Sequence, residues 1–395
     1  MKKLTCIILL AFLTCNAFSQ PACLKDVWQT LDRNQLGKAK TEMDKCMKGN
    51  ESSADAWLLK ANVYLRYYAF EADQKISNPA YEIKVPDAIL EAFNAFYKAF
   101  TLNQDVKVMS RMFGPKEGQI TCAPAVHDLG VDEMKKKNYE KAIECFNTAI
   151  RGYNLTDNKQ SIARAYIDMG TCYYLQNDTA NYLKSLDNAA RLSPPIPDLY
   201  IILYNLYKEK NDTLQCDRII KLGKRAVPDT LAGAAELKVY EFDYLAITGR
   251  TEQIPELALK LFEANKNDTN VLYYLAINLV NNKFYELATT IIEHGLTLVE
   301  NPLDFNKQMA FRYFYETVHY QVLIDEAFNE QKWALRNELE AQRKKLMELS
   351  HEWLEKVYAQ DKEDVDNNIM LKRIKVVLEI PVPDELNEKV NSYYQ

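Results

Sequence analysis

Along almost the whole chain, apolar residues recur at spacings of three and four, the period of an amphipathic α-helix, while strand-type alternation is scarce. Tyr166, Met169, Gly170 and Tyr173 mark one such face, and Tyr182, Leu186 and Ala189 mark the next. Turn residues such as Asn177-Asp178 and Pro194-Pro195 separate the segments. The predicted class is therefore all-α. One segment breaks the pattern: Lys2 and Lys3 precede an unbroken apolar run from Leu4 to Phe18.

The helical faces repeat. A large apolar residue, then Leu or Met with a small residue, then an aromatic lead into a second helix of small and large residues. Gly170 to Tyr204 and Pro194 to Pro228 are both 34 residues apart, as are Val27 and Ala61. Leu129-Gly130 leads in the same way to Ala142, Phe146 and Ala149. Leu245-Ala246 leads to Ala258 and Phe262, and Leu275-Ala276 to Ala288, Ile292 and Gly295. A period of this length means one supersecondary unit per repeat, each needing neighbours to bury its apolar face.

These residues resemble the tetratricopeptide repeat family over most of residues 22 to 302 and more loosely beyond. The resemblance implies antiparallel helix pairs stacked into a right-handed superhelical solenoid. It divides the chain into residues 20–102, repeats carrying an insertion; 103–122, an irregular connection; 123–302, a central array; 303–379, expanded helices; and 380–395, a capping tail. In the second repeat about nineteen extra residues separate Tyr64 from Ala92, Phe96 and Ala99, a length at which a connection is either functional or an added packing loop.

In this family the first helix of each pair lines a concave groove. The matching positions here are Arg164, Ile167, Thr171 and Tyr174; Ile201, Asn205 and Lys208; Tyr240, Asp243, Ile247 and Arg250; and Tyr273, Ile277 and Val280. This mixed apolar and polar wall suits an extended or helical protein segment. It lacks the Lys and Asn cluster with which chaperone-binding members clamp a C-terminal carboxylate.

Residues 1–19 have the charge and apolar length of a secretory leader, with Ala17-Phe18-Ser19 supplying small residues for cleavage before Gln20. A membrane anchor is the alternative. Neither Cys15 nor Cys23 stands in a good lipid-acceptor context. After Ser19 no apolar stretch is long enough to cross a membrane. The expected location is the periplasm or outer membrane, or outside the cell. Loss of Lys2 and Lys3 moves the net charge from −6 to −8, and like charges do not cluster, so nucleic acid is not an expected partner.

Cleavage also removes Cys6 and Cys15, leaving six cysteines, an even number compatible with disulfides in an exported chain. In the first repeat Cys23 starts helix one and Cys46 ends helix two, ends that antiparallel pairing brings together, so a Cys23–Cys46 bridge is expected. Cys122 and Cys145 share this separation in a different repeat phase. Cys172 and Cys216 occupy positions that face a core.

Chemistry is sparse. There is no Gly-rich phosphate loop, nucleophile elbow or Cys-x₂-Cys motif. Only 4 histidines occur, and His351-Glu352 lacks the second His of a zinc-protease motif, since position 355 is Glu355. No catalytic residues, metal or cofactor are expected. The expected function is a non-enzymatic scaffold of the cell envelope that binds another envelope or secreted protein, with oligomeric state open. The alternative is a glycan-binding protein of outer-membrane nutrient uptake, a class of Bacteroidota proteins that also uses these repeats but is lipid-anchored and rich in Trp. Here Trp28, Trp57, Trp333 and Trp353 are all the tryptophans.

Finally, Asp178-Thr179-Ala180, Asp212-Thr213-Leu214 and Asp229-Thr230-Leu231 resemble the O-glycosylation acceptor pattern of Bacteroidota envelope proteins. The same residues suit helix capping, as Asn267-Asp268-Thr269-Asn270 illustrates. Both readings of Thr179, Thr213 and Thr230 stay open at this level.

Overall fold

The computed structural model describes residues 22–106 and 111–394. The leader expected at 1–19 and its cleavage site lie outside the described residues. Among those described there are eighteen α-helices and a single 3₁₀ turn, with no strand. No described helix is long and apolar enough to cross a membrane.

The chain forms two compact units, residues 1–194 and 195–395. The first holds α1 (Ala22–Asp32), α2 (Leu36–Cys46), α3 (Ala54–Ser77), α4 (Ala88–Leu102), α5 (Pro115–Lys135), α6 (Tyr139–Asn154), α7 (Lys159–Leu175) and α8 (Thr179–Arg191). The second holds α9 (Pro197–Glu209), α10 (Thr213–Ala226), α11 (Ala234–Ile247), α12 (Ile254–Ala264), α13 (Thr269–Asn281), α14 (Tyr285–Leu296), α15 (Leu303–Asn329), α16 (Trp333–Gln360), α17 (Val365–Val377) and α18 (Asp384–Ser392). In each unit successive helices pack as pairs and pairs stack on pairs.

Local chemistry explains the punctuation. Asp178, Asp212, Asp268 and Asp364 cap α8, α10, α13 and α17 by accepting backbone N–H bonds from the first turn. Several tight turns inside pairs carry Asn at positive φ, as at Asn34, Asn177 and Asn211, a conformation Asn tolerates better than most residues. Pairs approach through small residues: a Cβ on Gly130 would lie 2.8 Å from the Phe146 ring. Large residues such as Phe93, Phe96, Phe146, Tyr200, Tyr204 and Phe242 fill the space between helices and are fully buried.

The two units divide after Pro194, within the array assigned to 123–302. Pro194 and Pro195, followed by Pro197 at the start of α9, prevent α8 from continuing. The stretch 103–122 is not irregular throughout, because α5 already begins at Pro115. There proline occupies the first helical position, where its missing N–H leaves nothing unpaired, and Glu117 reaches back to the Gly114 N–H. The insertion of the second repeat is partly helix as well, since α3 runs on to Ser77 before a short loop leads to α4.

Both added segments are fastened to α3. Glu71 is buried, and its carboxylate accepts hydrogen bonds from Lys84 N (2.7 Å), Val85 N (3.1 Å) and the Tyr81 hydroxyl (3.3 Å). Arg66 donates to the Arg111 carbonyl at 2.7 Å. These contacts hold both segments against α3. Cys23 and Cys46 are joined as a disulfide with Cα atoms 5.8 Å apart, tying α1 to the end of α2. Cys122, Cys145, Cys172 and Cys216 are free and buried.

Candidate protein-binding surface

The groove positions fall in both units. On α7 of the first unit, Arg164 is exposed and pairs with Asp168 at 3.3 Å, and Asp168 also meets His127 Nε2 at 2.9 Å. Ile167 and Thr171 are half-buried. Tyr174 is 62% exposed, its ring tilted against Tyr182 with centroids 5.3 Å apart.

The second unit carries the larger set. Lys208 on α9 and Asp243 on α11, both groove positions, are bound to each other at 2.7 Å. The other oxygen of Asp243 accepts from the buried Tyr204 hydroxyl at 2.7 Å. Burial and that carboxylate hold the Tyr204 phenol far above its ordinary range. Tyr240 stands edge-on to Tyr204. The Arg250 guanidinium lies 4.9 Å over the Tyr244 ring. Tyr273 and Ile277 on α13 are half-buried, with Tyr273 edge-on to Phe305. Ile247 is 40% exposed, and Asn205 is exposed.

Two expected contacts drop out. Ile201 is buried at 8% exposure and belongs to the core of its unit, and Val280 is buried at 3%. Each stands at the edge of its helix's inward face, next to the fully buried Tyr200 and Leu279. At the groove positions of α9 and α11 the charges of Lys208 and Asp243 are paired with each other, beside Tyr240, Ile247 and the amide of Asn205. A wall whose facing charges neutralise each other favours apolar anchors over a charged small molecule.

Sequence reasoning missed one residue of this kind. Asn62 follows Ala61 as Thr171 follows Gly170, so it holds a groove position in the second repeat. Its amide holds the backbone of Phe113 through two hydrogen bonds. The repeat register contained the signal, but the occupant comes from 51 residues away.

Thr179, Thr213 and Thr230 are exposed. Among the four tryptophans only Trp333 is exposed, at 53%. Trp57 donates its indole N–H to the Glu51 carbonyl, and Lys356 lies over the ring of Trp353. Among the described residues no group of His, Cys, Asp and Glu is placed to hold a metal ion. Burial pushes the Cys122 and Cys145 thiols up to about 12 and Cys172 up to about 11. These thiols are core groups, far from the thiolate state that nucleophilic chemistry needs.

Residues 121–181, spanning α5 to the start of α8, match the tetratricopeptide repeat family. No curated protein sequence matches the chain. Among solved structures, yeast Tom70 is 13% identical, covering 98% of this chain and 76% of its own, with a TM-score of 0.38. The C-terminal part of a TPR repeat-containing protein from Cytophaga hutchinsonii is 12% identical, covering 71% and 98%, with a TM-score of 0.35. A tetratricopeptide repeat protein from Parabacteroides merdae is 13% identical, covering 73% and 97%, with a TM-score of 0.29.

Proposed function

We propose that the protein is an exported, non-enzymatic scaffold that binds a segment of another envelope or secreted protein along α9 and α11. Tetratricopeptide repeats generally mediate protein–protein interactions, and the match over residues 121–181 supports that class. The observation that carries the reading is the state of the groove positions: Lys208 and Asp243 neutralise each other, which leaves Tyr240, Ile247, Asn205 and Arg250 as the accessible groups. Export is supported by Lys2, Lys3 and the apolar run to Phe18.

The test is site-specific photo-crosslinking in cells that make the protein. A photoreactive side chain at Ile247 or Asn205 is expected to give one defined adduct with an envelope protein. The same group at Leu214, which is 81% exposed on α10, is expected to give none. Equal adducts from all three positions, or none from the first two, would reject the surface.

A further inference from the structure

We propose that the ledge between α15 and the α13–α14 turn is the contact face of a symmetric dimer, filled by the same ledge of a second copy. The ledge arises from a mismatch in helix length. In the repeat register Ala310 on α15 stands where Ala276 stands on α13. Yet α13 ends at Asn281, whereas α15 continues to Asn329. The outer half of α15 therefore overhangs the pair before it.

That overhang carries Tyr315, Val318 and Val322, exposed by 40%, 47% and 51%. Their spacing of three and four puts them on one side of the helix. With Val280, Tyr285 and Leu323 they line a cleft of about 540 Å³. A contiguous exposed apolar stripe of this kind marks an interaction surface.

The charges at its rim decide the occupant. Lys283 and Glu326 both line the cleft, both are exposed, and neither forms an ion pair or side-chain hydrogen bond among the described residues. Nearby Arg312, by contrast, is paired with Glu316 at 2.7 Å and Glu286 at 3.3 Å. The two free charges sit at opposite ends. Arg312 lies over Tyr285, so the α13–α14 turn with Lys283 borders the Tyr315 end. Glu326 is eleven residues further along α15, about 16 Å at the helical rise. An apolar stripe with a free cation at one end and a free anion at the other is complementary to itself turned through 180°. A two-fold axis near the middle of the stripe sets each Lys283 against the Glu326 of the second copy and packs Val318 and Val322 on their counterparts. Such isologous contacts are the commonest form of homo-oligomer.

The experiment is sedimentation equilibrium on the purified exported chain, with circular dichroism and melting to show that each variant is folded. The wild type is expected to dimerise with a Kd well below about 100 μM. Val322→Asp is expected to weaken association at least about a hundredfold, and Lys283→Glu or Glu326→Lys alone at least about tenfold, because each turns both symmetry-related ion pairs into like-charge contacts. The double variant K283E/E326K restores the opposite charges and is expected to return to within about threefold of wild type. A monomer throughout overturns the proposal, including one whose ledge binds a helix of another protein. So does a dimer indifferent to Val322→Asp, or one that the charge exchange fails to restore.

Discussion

Asn62 and Phe113 exchange two hydrogen bonds across 51 residues of sequence. The Asn62 amide donates to the Phe113 carbonyl at 3.0 Å, and the Phe113 N–H donates to the Asn62 oxygen at 2.8 Å. Asn62 is 2% exposed and Phe113 42%, so the amide side of the pair is shielded from water while the loop side is partly open to it. One side chain thus holds down the chain just before α5, and Arg66, four residues on, holds the carbonyl of Arg111.

Replacing Asn62 by Ala leaves a backbone donor and an acceptor without partners. The expected loss is about 1 kcal/mol of stability in the first unit, the lower end of the cost of unpaired polar groups, because water reaches part of the exposed Phe113. Trypsin should cut after the exposed Arg111 faster than in wild type. Unchanged melting together with unchanged cleavage would show that the pair holds nothing in place.

The contrast between Gly118 and Gly170 makes a sharper test of packing. A Cβ on Gly118 would run into the fully buried Phe96 ring, whereas one on Gly170 would stop 3.3 Å from the flexible end of Leu186. Gly118→Ala should destabilise by about 1–3 kcal/mol through overpacking. Gly170→Ala should change stability by less than about 1 kcal/mol, because better helix propensity offsets the tighter fit. Both residues lie in the first unit, so the same urea transition reports both. Equal midpoints would refute the packing argument.

These residues also show which parts of the fold are readable without coordinates. Helix pairing is legible because its determinants are local and recur every 34 residues: Gly170 and Tyr204 occupy equivalent positions, as do the capping residues Asp178 and Asp212. The long helices α15 and α16 and the closing helix after Pro383 follow from the same periodicity. The fastening of the insertions is not legible, because Glu71 and Asn62 find backbone partners whose sequence carries no mark. Groove positions are legible as places on a helix but not as free groups. Whether Lys208 meets a ligand or Asp243 depends on the spacing of two helices, which no single repeat encodes. The ledge on α15 is not legible for a related reason: its apolar stripe has the pattern of a core face, and only the end of α13 at Asn281 leaves it uncovered.

The cysteines give a stoichiometric prediction with a definite pH dependence. In the native chain from Gln20 onward no thiol should react with a disulfide reagent at pH 8. Four should react in guanidinium, and six after reduction, because Cys23 and Cys46 are bridged and the other four are buried. Burial holds the folded Cys122 and Cys145 thiols up at about 12 and Cys172 at about 11, above the ordinary thiol value near 9. Between these limits the unfolded chain releases protons that the folded chain keeps. Stability is therefore insensitive to these groups below about pH 8 and falls as pH rises from about 9 toward 12. Six reactive thiols without reduction would remove the bridge, and a native thiol reacting at pH 8 would contradict the burial.

The last prediction concerns Thr179, Thr213 and Thr230. Capping and modification compete only if the cap needs the threonine hydroxyl, and here it does not. Asp178 accepts from Asn181 N at 3.0 Å and Asp212 from Gln215 N at 3.1 Å, so the aspartate caps each helix. The threonine that follows is the first helical residue, exposed, with its hydroxyl in no hydrogen bond among the described residues. Thr230 is equally exposed. Its neighbour Asp229 pairs with Lys238 at 2.8 Å, while α11 itself is entered through Gly233. At Asn267-Asp268-Thr269-Asn270, Asp268 caps α13 in the same way, yet Thr269 is half-buried and the third acceptor position is filled by Asn270. The expected outcome is that protein isolated from its native host carries glycan on Thr179, Thr213 or Thr230 and none on Thr269. Thr→Ala at all three should remove the added mass and change stability by less than about 0.5 kcal/mol, because no cap is lost. An intact mass equal to that of the unmodified chain from Gln20 onward would reject the proposal, and glycan on Thr269 would show that exposure does not select the site.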